Sequence, residues 1–431
     1  MSEGACRRPR LRLAVALLLP LPLVARPQAP GPERFPPAMV PGPADVPTPL
    51  PTGQPGPSMD LPEFLLRSAG LYEEPTPEEK AAQAKRRFHF NVVPFILTNP
   101  LVEFGLGVAS AGVFRIGDSD TKLSKFATNL LFTVKNQVSI PIRTTIFFSG
   151  NEWSLVGYTT WSWFPSPTWG LGGNTPDINE TIVDYGLVRI WETVYRQLYS
   201  NLYLGAGLYW DHYYAVSNRG SPPGVANPFS SYPYGTEGSY NNVGASADVL
   251  YEGRDNPVNS TRGYYASLTY RAFPTWLGST TSWQSLYLNG RAYFELPAPH
   301  VLAFWAYGWF SFGNTPYLDL PSIGSDPDVR SGRGYIEGRH IGKSLLYAEA
   351  EYRFHIWEFL GGVVGMNVHS VSQPAAPDQV QNAPKFQYWW PAATIGLRAL
   401  VNRPTRANGL IEFGIGLAGS HGFYLNINEN F

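Results

Sequence analysis

Three stretches of this chain set the reading, because in each one apolar and polar residues alternate with a period of two. From residue 201, Leu202, Leu204, Ala206, Leu208 and Trp210 share one face, while Tyr203, Gly205, Gly207, Tyr209 and Asp211 share the other. From residue 285 the apolar face is Leu286, Leu288, Ala292, Phe294 and Leu296, opposite Asn289, Arg291 and Glu295. From residue 345 it is Ala348, Ala350, Tyr352, Phe354 and Ile356, opposite Glu349, Glu351, Arg353 and His355. Strands of ten or more residues with one apolar and one polar face fit a transmembrane barrel, lipid outside and water inside. Sixteen such strands can be placed, starting near residues 88, 102, 123, 138, 152, 183, 201, 243, 262, 281, 300, 343, 360, 385, 408 and 421. The long connections (166–180, 217–242, 313–342 and 372–384) all follow odd-numbered strands, and the tight ones near Gly150, Ser200, Pro297 and Glu358 follow even ones. That asymmetry predicts long external loops at one end and short periplasmic turns at the other. The alternation runs to the last residue through Phe423, Leu425, Ile427, Glu429 and Phe431, so Phe431 is expected to close the final strand.

Composition strengthens this picture. Only 15% of residues are charged and 14% are aromatic, with 25 Tyr and 13 Trp, against about 25% charged in a soluble domain. Tyr and Trp favour membrane interfaces because they are apolar at one end and polar at the other. After the leader no apolar run is long enough for a spanning helix, so membrane insertion requires a closed sheet. The formal net charge is −1, and the leader holds Arg7, Arg8, Arg10 and Arg12 against Glu3, leaving the remainder more acidic. Nucleic acid, which needs a basic field, is not an expected partner. Cys6, the single cysteine, precedes the apolar run of the leader, so neither disulfides nor cysteine metal sites are expected beyond it.

Three regions follow. Residues 1–29 read as a signal peptide: a basic stretch at 7–12, an apolar run at 13–24, and candidate cleavage points at Ala25 or Ala29. Residues 30–87 form a proline-rich periplasmic segment, extended where proline dominates up to Asp60. It ends in a short helix capped by Thr76, with Pro77 and Glu79 in its first turn. Residues 88–431 form the barrel. Catalytic motifs are absent: the seven histidines show no zinc-type i, i+4 pairing, and no G-x-S-x-G elbow occurs. Neither an enzymatic activity nor a metal or other cofactor is expected.

Several motifs, taken in order, resemble the BamA/TamA superfamily of outer-membrane barrels, the bacterial surface-antigen group. Gly332-Arg333-Gly334-Tyr335, between strands 11 and 12, resembles the family's V-R-G-F/Y loop motif, and Ala350-Glu351-Tyr352-Arg353-Phe354 its E-Y-R strand. Gly396-Leu397-Arg398 and the terminal Phe431 also match, as do Gly253-Arg254-Asp255-Asn256-Pro257 and Gly263 further upstream. Near the start, Val93-Pro94-Phe95, Asn99-Pro100, Phe164-Pro165 and Gly170-Leu171-Gly172 resemble the shorter, barrel-only members. The resemblance implies an all-β fold, a 16-stranded antiparallel transmembrane β-barrel with an inserted long loop between strands 11 and 12. It also implies that Arg333 pairs with an acid on the barrel wall. Asn367 stands where the family has that acid, so Glu349 or Glu351 becomes the expected partner, with Arg353, Asn367 and Arg398 nearby.

Residues 26–87 are too few and too proline-rich for the periplasmic POTRA domains of the family's insertases. Two functions stay open: insertion or translocation of polypeptide or lipid through a gate between the first and last strands, or a passive or plugged pore or structural barrel. The expected location is the outer membrane of a Gram-negative bacterium. The expected surroundings are outer-membrane lipid and lipopolysaccharide, with a periplasmic protein at the proline-rich segment.

Overall fold

A computed structural model describes residues 59–70 and 88–431, apart from 115, 118–120, 122–123, 222–223, 226, 298–299, 328, 375–383, 403–405 and 428. The leader, the proline-rich residues up to 58 and the helix expected over 76–87 lie outside the described residues. A helix occurs earlier in the chain, α1 (Leu61–Ser68). Asp60 caps it by accepting from the Glu63 amide, Pro62 lies in its first turn, and Arg67 pairs with Glu63 at 2.8 Å.

Sixteen long strands follow among the described residues. They are β1 (Phe88–Leu97), β2 (Gly105–Phe114), β3 (Ser124–Thr133), β4 (Val138–Phe147), β5 (Trp153–Trp163), β6 (Thr181–Tyr199), β7 (Leu202–Asn218) and β8 (Gly238–Glu252). The second half comprises β9 (Gly263–Phe273), β10 (Trp283–Leu296), β11 (His300–Gly313), β12 (Ser344–Trp357), β13 (Leu360–Val371), β14 (Trp390–Asn402), β15 (Ala407–Gly416) and β16 (His421–Ile427). A three-residue strand, Ser166–Thr168, adds to the upper end of β6. Among the described residues no helix is long and apolar enough to cross a membrane.

Each strand pairs antiparallel with the next, from Phe88↔Phe114 in β1–β2 to Gly409↔Ile427 in β15–β16. The alternation sorts the side chains. On β12, Tyr347, Glu349, Glu351 and Arg353 are buried inside the barrel, while Ala348, Ala350, Tyr352 and Ile356 face outward. Interior aromatics pack together, with Tyr287, Tyr293, Trp305, Tyr307, Trp309 and Tyr347 in one cluster. Exposed Leu204, Leu208, Leu268, Leu288, Met366 and Ile411 coat the outside.

Two expected boundaries shift. β14 begins at Trp390, because residues 385–389 alternate like a strand yet bond as a loop, Lys385 to Gln373 and Tyr388 to Ser370. β16 ends at Ile427, so Phe431 does not close the sheet. The chain turns inward instead, and the Phe431 ring lies buried 5.3 Å from that of Trp305.

Candidate functional site

The sheet curls round until β1 approaches β16, but these two strands form no ladder. They meet at one isolated bridge, Thr98↔Leu425, where the Leu425 amide donates to the Thr98 carbonyl at 3.3 Å. Geometry explains the gap. Continuing that register downward would set β1 against residues beyond Leu425, but β16 stops at Ile427. Among the described residues the seam-side edge of β1 therefore lacks a strand partner. The result is an almost closed barrel with an unsealed seam.

Close to the seam on the β16 side lies the buried charge cluster around Arg333. Arg333 is only 2% exposed. Its guanidinium pairs with Glu349 and Glu351 of β12, the latter at 2.5 Å, and with Glu412 of β15. A buried guanidinium needs several acceptors, and three carboxylates provide them. Burial opposes its charge, and the carboxylates outweigh burial, so the group stays firmly protonated. The Tyr347 hydroxyl donates to Glu349 at 2.5 Å, and the Asn430 amide donates to both Glu351 and Glu412.

Backbone fit holds the motif in place. Gly332 and Gly334 have φ of 72° and 105°, a region that L side chains avoid. A Cβ on Gly334 would also lie 2.8 Å from the Ala392 Cβ and 3.1 Å from the Gly416 amide nitrogen. Around this close approach, the Gly334 amide donates to the Tyr424 hydroxyl at 2.9 Å, and the Tyr335 hydroxyl donates to the Pro391 carbonyl at 2.6 Å. Asn367 donates its side-chain amide to the Arg333 carbonyl at 3.0 Å. Residues 332–335 thus touch β12, β13, β14, β15 and β16 in turn.

The same connection, residues 314–343, has a second anchorage on the other wall. Asp319 accepts from Tyr213 of β7 and from Tyr240 and Asn242 of β8 at 3.2, 3.2 and 2.9 Å. Burial, with Asp211 nearby, pushes its carboxyl up to about 7. The outer connections are stitched together as well. The Gly172 amide donates to the Ile341 carbonyl at 2.7 Å, and Arg339 reaches Thr175 and Asp177.

Glu349, Glu351 and Asn367, read from the sequence as partners of the loop, contact Arg333. Arg353 and Arg398 do not; they hold the C-terminal residues. Arg353 bonds Glu351 and the Phe431 carbonyl, the latter at 3.0 Å, while Arg398 pairs with Glu429 at 2.6 Å. These bonds draw the last residues off the β16 line. Sequence reasoning missed Glu412, Tyr424 and Asn430. A signal for Glu412 existed: it shares the inward face of β15 with Asn408, Leu410 and Gly414. Among the described residues no group of three His, Cys, Asp or Glu side chains is placed to hold a metal ion.

Lipid-facing and water-facing strand faces, with a polar interior, define an outer-membrane β-barrel. A family model for the Omp85 superfamily domain matches residues 121–371, more than half of the chain. The chain belongs to the Omp85 superfamily, whose barrels occupy the outer membrane of Gram-negative bacteria. Its fold is similar to that of BamA from Haemophilus ducreyi lacking POTRA domains 1–3, at TM-score 0.54 and 12% identity, covering 80% of this chain and 69% of that one. CdiB from Escherichia coli matches at TM-score 0.53 and 11% identity, covering 80% of this chain and 63% of that one. CdiB from Acinetobacter baumannii matches at 0.51 and 10%, covering 80% and 60%. The chain thus spans less than two thirds of either CdiB. No curated protein matches it.

Proposed function

We propose that this barrel inserts or moves polypeptide across or into the outer membrane by parting β1 from β16, without enzymatic chemistry. The observation that carries the reading is the seam, one bridge in place of a ladder. Every backbone group left unpaired in hydrocarbon is costly, so an unzipped edge is a template that an incoming strand can satisfy. The Arg333 cluster supports the same reading. On this view the 314–343 connection folds into the lumen as a strap that makes β12–β16 one plate, leaving β1 as the edge that moves. Lipid and lipopolysaccharide surround it, and a periplasmic protein delivers clients at residues 30–87.

A disulfide across the seam tests it. Thr98→Cys with Leu425→Cys, in a Cys6→Ser background, places two thiols on directly paired residues. The expected outcome is loss of client insertion on oxidation and recovery on reduction. Normal assembly with a fully oxidised seam would sink the idea. A plugged structural barrel is the second reading, favoured by the filled interior around Arg333, Trp305 and Phe431. It predicts low conductance in planar bilayers that rises in Arg333→Ala, with no effect of the seam disulfide on clients.

A further inference from the structure

Glu192 departs from the alternation that places most carboxylates of the membrane strands inside. The other outward carboxylate of β6, Asp184, lies near the start of the strand and is paired with Arg219 at 2.7 Å, whereas among the described residues Glu192 has no such cation. Asp211, Asp248, Glu252, Glu349, Glu351 and Glu412 are buried on interior faces. On β6 the interior positions are odd-numbered, with Arg189, Trp191, Thr193 and Tyr195 all buried, and the outward ones are even, with Ile190 and Val194 exposed. Glu192 falls among the latter.

Its depth can be read from the register. Glu192 pairs with Gly157 of β5. Four residues one way lies the pair Trp153↔Arg196, and four the other way lies Trp161↔Val188. Both tryptophans are exposed on the outer surface and mark the two interfaces. Glu192 is therefore midway between them, in the hydrocarbon. Its side chain lies across Gly157, where a Cβ would be 2.7 Å from each carboxyl oxygen and 2.5 Å from the Thr144 hydroxyl of β4. One oxygen, Oε2, is sheltered and has no hydrogen-bond partner.

A carboxyl in hydrocarbon is least costly uncharged and hydrogen-bonded. Acyl chains offer neither donor nor acceptor at that depth. We propose that the β4–β6 face is a contact surface for a second copy of this barrel, with the Glu192 carboxyls of the two copies bonding to each other. The chemistry selects this partner. An uncharged carboxyl carries one donor and acceptor capacity, so it complements itself. A two-fold axis along the membrane normal brings equal positions together at equal depth, which no unrelated partner does automatically. Gly157 and Thr144 leave the surface low, and small residues let membrane segments approach closely.

Disulfide capture in native outer membranes tests this on the full chain. Thr159→Cys, outward-facing on β5 beside Glu192, is introduced in the Cys6→Ser background, with Met366→Cys on β13 as the opposite-wall control. Oxidation is expected to give a dimer from Thr159→Cys and little from Met366→Cys. The yield should fall several-fold with Glu192→Leu and persist with Glu192→Gln, whose amide also donates and accepts. Heat-modifiable gel mobility reports that each variant is folded. Equal capture from the opposite wall, no self-adduct, or a yield indifferent to Glu192→Leu overturns the proposal. So does a yield that follows Thr144→Val alone, which places the contact on the threonine.

Discussion

The two edges of this sheet are built to opposite specifications. Near the β16 edge, Arg333 gathers three carboxylates from two strands, and Gly334 and Tyr335 reach two more strands through backbone and hydroxyl bonds. At the β1 edge, one hydrogen bond of 3.3 Å joins the sheet to its far end. Buried ion pairs contribute little net stability against apolar packing, yet breaking one is expensive. They suit a plate that must keep its shape. A lone backbone bond suits the edge that the proposed function requires to part.

The contrast can be broken most severely at Arg333. Arg333→Ala leaves Glu349, Glu351 and Glu412 buried without their cation, and should destabilise the barrel by about 3–5 kcal/mol, read as a lower heat-modifiability transition. Arg333→Lys should recover only part, since an ammonium cannot reproduce the guanidinium fork. Gly334→Ala comes next. It combines a strained φ with a close approach to Ala392, for an expected cost of about 1–3 kcal/mol by the same measurement.

A double-mutant cycle between Arg333 and Glu412 should give a coupling of roughly 0.5–3 kcal/mol; additivity would show that Glu412 is a bystander. The Asp319 anchorage is expected to depend on pH. Its carboxyl is raised to about 7 in the fold, so its contribution is complete at acid pH and fades as pH rises through 7. Hydrogen-exchange protection factors at residues 317–320, corrected for the intrinsic base catalysis of amide exchange, should therefore fall as pH rises from about 4 to about 7, and Asp319→Asn should flatten that response. The smallest effect belongs to the seam. Leu425→Pro removes its single amide donor and should cost no more than about 1 kcal/mol in global stability through that bond, measured against the same change at Ile411 inside the β15 ladder.

Local alternation made the strands and their inward and outward faces legible, because burial against lipid or lumen repeats every second residue. It could not reveal where a strand stops pairing. Glu429 and Phe431 continue the rhythm of Phe423 and Leu425, yet an ion pair of Glu429 with Arg398 and a hydrogen bond from Arg353 to the Phe431 carbonyl, both remote in sequence, hold them inward. Arg333 was legible through its motif, and its partners Glu349 and Glu351 through their shared face. Glu412 was missed because an acid was sought on β13, whereas the sheet's curvature brings β15 just as near. Helix α1 was overlooked among prolines, although Asp60 and Pro62 form a good start. Its Phe64 ring packs 5.2 Å from Phe359 and 6.1 Å from Trp357, beside the β12–β13 turn.

The wall is also of uneven height. β6 runs for 19 residues and β16 for 7. At about 3.3 Å per residue and a tilt near 40°, the last strand rises roughly 18 Å, well short of the hydrocarbon it stands in. Lipids beside it must shorten or lean to meet it. Membrane beside β16 is thus pressed thinner than beside β6, and under the proposed gating this lowers the work of opening it at the seam.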